Sequence, residues 1–581
     1  MEPSSIPRIK RSREGKPKVR TGCNICKLRR VKCDETKPSC RRCQLAGREC
    51  SYRRPPTPAV HNENVRQHTF VPIRRRPAIL QQQPAADRAD VAPVQPSPLT
   101  VYAPSASIPG DSNERRYFQL FVNQVSRDLS GYFFTPFWTR LVLQECHREP
   151  AIRLEICALS ALCKASASPP SERDSHYHYA LTQQSKALWC FRKVLPKGSV
   201  RLALIASLLF TSFHSLQGDV ETAAQQISCS IRLLDQWKNS KGNIEGRTGA
   251  VSSGQDPANI DPDFMGMLER LELPLLSFIA INPILEYAFE EVKEPTEIRM
   301  MPLPDRFISV RQALPSAIQF CKFCLQHMRI GNAHKLSPQS TAFHRIFIRN
   351  QNTLLTFSSR WKAAFAPVLK IVNPRATNFD SIGALVFDIY VQVFESIVVT
   401  SLATDEMVYD DYYNTFRNIV TSSGEILQKD HDLRRATPRR NDKGGPGDGC
   451  EGKGEESPTL QLYLGVIPSL FYVATRCREP LIRREAINLL RKWKVRNGIW
   501  DSIQAALIAE WVLNMEEAHL NLDLAELGLE EHYMSLVQEE WRVKMHTLKW
   551  TVDYITKNIN VECFQGAGKN ITRRNATFRY Q

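Results

Sequence analysis

The sequence has no uninterrupted apolar run near the roughly 18 to 20 residues that a bilayer-spanning helix needs. The longest, Leu202 to Phe210, is cut by Thr211 and Ser212, so no membrane span and no membrane partner are expected. An apolar signal core is also missing from the N-terminus, which is rich in Pro, Arg and Lys instead. Passage through an oxidising compartment is therefore not expected, and the 16 cysteines should be reduced thiols. Acidic residues are scarce relative to basic ones, 60 against 77, and the resulting charge of +17 favours an anionic partner. Catalytic signatures are lacking too: there is no metalloprotease helix motif, serine-elbow motif or dinucleotide fingerprint. The glycine-rich Gly447–Lys453 stretch resembles a phosphate loop, but Gly454 stands where a hydroxyl is required. No enzyme is read from this chain; a DNA-tethered enzyme is the remote alternative.

What the chain does have is length and a lopsided distribution of charge and cysteine. Its 581 residues, 42 % of them apolar, are enough for two or three compartments and a large core. Residues 1–54 hold 17 Lys and Arg against 5 Asp and Glu, so this tenth of the chain carries +12 of the +17. The same head holds Cys23, Cys26, Cys33, Cys40, Cys43 and Cys50, two successive copies of Cys-x2-Cys-x6-Cys. So short a segment cannot bury enough apolar surface to order itself, and thiolate-bound zinc supplies the missing stability. Six thiolates complete two tetrahedral sites only if two sulfurs are shared between the metals.

The run Thr21-Gly-Cys-Asn-Ile-Cys-Lys-Leu-Arg-Arg-Val-Lys-Cys-Asp-Glu-Thr-Lys-Pro-Ser-Cys-Arg-Arg-Cys resembles the fungal binuclear zinc-cluster transcription factors. The resemblance implies two zinc ions, with Cys23 and Cys40 bridging, Cys26 and Cys33 completing one site, and Cys43 and Cys50 the other. It further implies recognition of CGG-type triplets in double-stranded DNA by the basic pair before the third cysteine, Arg29 and Arg30. Arg30 is the first candidate, because a guanidinium can bridge O6 and N7 of one guanine. Lys18, Lys27, Lys32, Arg41 and Arg42 are cast as phosphate contacts, which position the protein without reading sequence. Pro38 matches the turn between the two arms in that family. Residues 1–22 read as a basic arm and nuclear import signal, which places the protein in the nucleus.

Beyond the cluster at 23–50, residues 51–113 read as a disordered Pro-rich linker; eleven prolines fall within 55–111. No heptad follows the cluster, so a coiled-coil dimer beside the DNA is not supported, although a homodimer stays open. Residues 114–430 read as a helical regulatory domain, 431–458 as a flexible insertion, 459–563 as its helical continuation and 564–581 as a tail. The expected architecture is thus a small metal-stabilised binuclear cluster, a Pro-rich linker and a large all-α regulatory domain. Within it, Ile152, Ile156, Leu159 and Cys163 after Pro150, and Ile482, Ala486, Leu489 and Trp493 after Pro480, share helical faces. Leu202 to Leu216 reads as a central buried helix ending near Gly218, with Asp219 capping the next.

Cys321 and Cys324 fall on an apolar helix face and read as core, and His176 and His178 point to different sides. The acidic and leucine-rich stretch from Met515 to Glu531 has the composition of a transactivation segment, and equally that of a solvated helix face. Phe134–Trp138, Glu149–Ile152 and Arg478–Ala486 with Gly498–Asp501 resemble body segments of the same fungal regulators. The whole implies a zinc-dependent regulator of RNA polymerase II genes that contacts the transcription machinery, an activator of a secondary-metabolite cluster, with a repressor as the alternative.

Overall fold

The computed structural model describes residues 23–29, 31, 33–50, 110–133, 136–195, 200–245, 262–282, 294–335, 340–371, 378–436, 459–523 and 527–580. The chain divides into two compact units, Met1–Tyr102 and Ala103–Gln581. Most of the expected basic arm, the Pro-rich linker and the insertion lie outside the described residues, and so does Gly447–Lys453.

In the first unit each Cys-x2-Cys opens a single helical turn and a half, Asn24–Leu28 and Arg41–Leu45. The core of this unit is sulfur: Cys23, Cys26, Cys33, Cys40 and Cys43 are buried, with only Ile25, Val31 and Cys50 partly buried against them.

The second unit is helical and has two apolar cores. One gathers Ser112–Leu120, Pro150–Ala167, Pro170–Val194 and Val200–Gln217. The other gathers Val310–His334, Thr341–Ile371, Phe379–Thr400, Tyr413–Ala436, Ile467–Arg476, Pro480–Lys492 and Ser502–Glu517. Pro262–Ile281 joins them, burying Met267 and Leu271 in the first and Leu273 to Ile281 in the second. The helix read around Leu202–Leu216 is buried on nearly every side. It ends at Gly218, whose φ of +91° reverses the chain at little cost only in glycine. Asp219 then accepts from the Thr222 amide at 3.0 Å to start the helix Val220–Glu245.

Two helices amend the expectation that nothing is long and apolar enough to cross a membrane. Val200–Gln217 and Phe379–Thr400 both are by length and composition, and 72 % of each apolar window is buried inside the protein. Small and hydroxylated residues such as Ser207, Thr211 and Ser396 interrupt their apolar runs without disturbing the packing.

The C-terminal part departs further from the all-helical expectation. The last α-helix ends at Glu517, and the end of the stretch read as helical continuation forms, with the tail, a three-stranded antiparallel meander, Lys549–Asp553, Asn558–Ala567 and Asn570–Arg579. Ile559, Val561 and Cys563 turn inward while Asn560 and Phe564 turn outward. The alternation covers only three apolar residues before Gln565 and Gly566, and the outer strand carries just Ile571, Ala576 and Phe578 among polar residues, so the pattern is faint in the sequence. A second small sheet pairs Thr459–Gln461 parallel to Val495–Asn497, which pairs antiparallel to Trp500–Asp501.

Buried charge fastens this C-terminal part to the helices. Glu516 lies 2.8 Å from Arg478 and 2.7 Å from Arg483, with all three side chains inaccessible to solvent. It also accepts from the Val543 amide at 2.7 Å. Burial would raise the Glu516 carboxyl, but Arg478 and Arg483 hold it below its ordinary value. Arg542 meets both oxygens of Asp410 at 2.7 Å. Glu517 is paired with Arg484 and buried as well. The opening acids of the stretch read as a transactivation segment therefore belong to the packed interior.

Candidate metal centre and nucleic-acid interface

The six cysteines converge because each short helix points its two sulfurs toward the same interior. Sulfur–sulfur separations are 3.6 Å for Cys23–Cys40, 3.7 Å for Cys23–Cys43 and Cys26–Cys40, and 4.0 Å for Cys26–Cys43. Zinc–sulfur bonds of about 2.3 Å in a tetrahedron set an edge of about 3.8 Å, so these sulfurs are already spaced as ligands of tetrahedral metal. Cys23 is in thiol contact with Cys26, Cys40 and Cys50, and Cys40 with Cys23, Cys26 and Cys43. Cys26 and Cys43 reach across likewise, so each of these four sulfurs touches both halves of the repeat. The tightest quartet is Cys23, Cys26, Cys40 and Cys43, while Cys40 also groups with Cys33 and Asp34.

Burial pushes the Cys23 thiol up to about 12, and raises Cys26 and Cys40 for the same reason. Sulfurs packed this closely hold their protons unless a cation replaces them, which is the donor set of a metal centre and not of a reactive thiol. The Cys23 amide donates to the Cys33 sulfur at 3.4 Å and the Cys40 amide to the Cys50 sulfur at 3.2 Å. The bond from the Cys40 amide holds the Cys50 thiol below its ordinary value. The residues present fit two zinc ions.

Sequence reasoning missed Asp34. Its carboxylate accepts from the Arg41 amide at 2.9 Å and the Arg42 amide at 3.5 Å, closing the N-terminus of the second helix. The Thr36 hydroxyl and the Arg41 amide hold its carboxyl down to about 2. The signal was a single acid following Cys33 in an otherwise basic array, followed by Glu35 at φ +60°. The Lys37–Pro38 peptide between the arms is cis.

Of the residues read as DNA contacts, Arg29, Arg41 and Arg42 are exposed on the surface around the sulfur core. Lys18, Arg30 and Lys32 lie outside the described residues, as does the side chain of Lys27. An exposed cationic shell on a metal-ordered core fits the phosphate backbone of nucleic acid.

Among the remaining candidates, Cys321 and Cys324 are buried in the helix Val310–His334 with thiols raised by burial, as core packing requires. His176 is buried and hydrogen-bonded to the Tyr117 hydroxyl at 2.7 Å, whereas His178 is exposed.

Comparison with known proteins agrees with this geometry. Residues 21–59 match the family described as fungal Zn(2)-Cys(6) binuclear cluster domain. The chain is similar to the aspercryptin biosynthesis cluster-specific transcription regulator of Emericella nidulans, 22 % identical across 93 % of this chain and 95 % of that protein. Shorter likenesses include a Zn(2)-C6 fungal-type transcription factor of Aspergillus fumigatus, 58 % identical over 6 % of this chain and 10 % of the relative. The lysine biosynthesis regulatory protein of Saccharomyces cerevisiae is 58 % identical over 6 % of this chain and 4 % of its own length. No solved structure matches. With sulfur geometry, basic surface and likeness in agreement, residues 21–59 are a fungal Zn(2)-Cys(6) binuclear cluster domain with two zinc ions, and the chain that carries them is a DNA-binding transcription factor.

Proposed function

We propose that the protein acts in the nucleus, reads CGG-type triplets with Arg30 and Arg29, and activates RNA polymerase II transcription of a fungal secondary-metabolite gene cluster. The observation that carries the reading is the basic surface around six converging sulfurs, where Arg29, Arg41 and Arg42 are exposed. The pathway follows from the likeness, over nearly all of both chains, to a regulator named for a biosynthesis cluster. In this reading Cys23 and Cys40 bridge the zincs, Cys26 and Cys33 complete one site, and Cys43 and Cys50 the other. Lys18, Lys27, Lys32, Arg41 and Arg42 meet phosphates, and the body contacts the transcription machinery.

The test is binding of the full chain to duplexes with and without CGG triplets. Arg30→Ala should remove about 1 to 3 kcal/mol of discrimination while leaving binding to the triplet-free duplex nearly unchanged. Equal loss on both duplexes would move Arg30 to the phosphate class. Activation is read separately: residues 55–581 fused to an unrelated DNA-binding head should induce a reporter, and a silenced reporter would mark a repressor.

A further inference from the structure

The helix Thr341–Ile371 and the extended segment before Val310 enclose a surface trough of about 660 Å³. One wall presents Arg345, Arg349 and Arg360. These positions are separated by four and eleven residues, with Asn352, Thr353 and Thr356 between, so they lie along one stripe of the helix. At 1.5 Å per residue the stripe runs about 22 Å. The facing wall is Met300 and Met301, and Phe357 forms the apolar floor. Among the described residues none that lines the trough is acidic. Arg349 pairs with Glu297, itself exposed and outside the lining, while Arg345 and Arg360 have no ion pair among the described residues.

Three guanidiniums along a straight edge, opposite two flexible thioethers, make a surface of a specific kind. Guanidiniums are weakly hydrated and pair bidentately with carboxylates, and methionines adapt to varied apolar side chains. The trough is open along its length, which cannot bury the 70 to 90 % of surface that a small ligand normally hides. It does match one side of a four-turn helix. The enclosed cavity beside Cys321, by contrast, measures only about 10 Å³ and has room for about one water.

We propose that this trough docks an acidic amphipathic helix of a partner protein, with its carboxylates on Arg345, Arg349 and Arg360 and its apolar face on Met300, Met301 and Phe357. The assignment rests on the body alone and stands whether or not the reading of the DNA-binding head holds.

The test uses the full chain and a 16-residue helical probe peptide with Glu on one face, Leu and Phe on the other, and a benzophenone on the apolar side. Saturable binding is expected, weakened at least tenfold by Arg345→Glu with Arg360→Glu, with the photo-adduct on Met300 or Met301. These arginines are exposed, so an unchanged thermal transition should accompany the loss. The basic head binds any acidic peptide to some extent, but it is identical in wild type and variant and cancels in the comparison. Equal binding by the double variant, equal binding of a probe with Lys in place of Glu, or adducts mapping only elsewhere would overturn the proposal. A thermal shift with dodecanoate and none with the peptide would also overturn it, in favour of a small amphipathic acid.

Discussion

The head and the body solve the same problem, ordering a chain against its conformational entropy, with opposite materials. Between Cys23 and Cys50 the interior is sulfur, and Arg29, Arg41 and Arg42 face solvent. In the body the interior is two large apolar clusters, and Arg478, Arg483 and Arg542 are fully buried against carboxylates. Arginine thus has two uses in one chain. Left exposed on a small metal-ordered core, it is available to an outside polyanion; buried and paired, it fixes which elements of a large core meet. Exposed charge, on the head or on the body, is free to meet a partner, while the buried charge of the body contributes to architecture.

The sharpest way to break that contrast is to remove the metal. Chelation should abolish DNA binding by the full chain and leave the thermal transition of the body unmoved, because structural zinc supplies about 10 to 16 kcal/mol to a segment with little else. Restoring zinc should restore binding. DNA affinity that survives chelation would mean that the head is ordered without zinc.

Next in size is Glu516→Ala, which removes the nearest carboxylate of both Arg478 and Arg483, leaving Glu406 3.9 Å from the one and Glu517 3.7 Å from the other, and should destabilise the body by about 3 kcal/mol in denaturant unfolding. Zinc content of the head should not change. A loss below about 1 kcal/mol would show that these arginines are not committed to architecture.

A titrating group separates the two regions by pH. His327 is buried, stacked on Phe347 with ring centroids 3.8 Å apart, and burial pushes it down to about 4 from 6.5. Between those values the unfolded chain binds a proton that the folded chain refuses, so stability is full above about pH 6.5 and falls as pH drops toward 4, by about 3 kcal/mol in all. His327→Gln should make the acid limb of the body's melting curve shallower, and His546, which burial also pushes down to about 4, should keep the remainder. An unaltered slope would place the acid sensitivity elsewhere.

The smallest effect is expected at a helix start. Asp219→Ala removes the bond to the Thr222 amide and should cost about 1 kcal/mol. Asp219→Ser should recover most of it, since a hydroxyl can accept the same amide.

Legibility differed by region for physical reasons. The six clustered cysteines were readable because metal chemistry constrains residue type and spacing in the sequence itself, and the arithmetic of six sulfurs for two tetrahedra allows few solutions. The helices starting at Pro150, Val220 and Pro480 were readable because their apolar spacing and start signals are local. Asp34 was not, since a capping role depends on which amides the turn at Pro38 brings to it. The C-terminal meander was not, because three inward apolar residues are too short a run to distinguish strand from loop. Composition also misplaced Glu516 and Glu517: acids beside leucines look solvated until partners 33 and 38 residues away are in view.

By itself, then, the sequence determined the metal-binding head, its positive charge and the helical character of most of the body, because each of these is written in neighbouring residues. Only the tertiary structure decided that Arg478, Arg483 and Glu516 are interior, that the chain ends in a sheet, and that Arg345, Arg349 and Arg360 share a trough with Met300. Those outcomes depend on contacts between residues distant in the chain, and no local pattern carries the burial that makes a charge structural or leaves it free to bind.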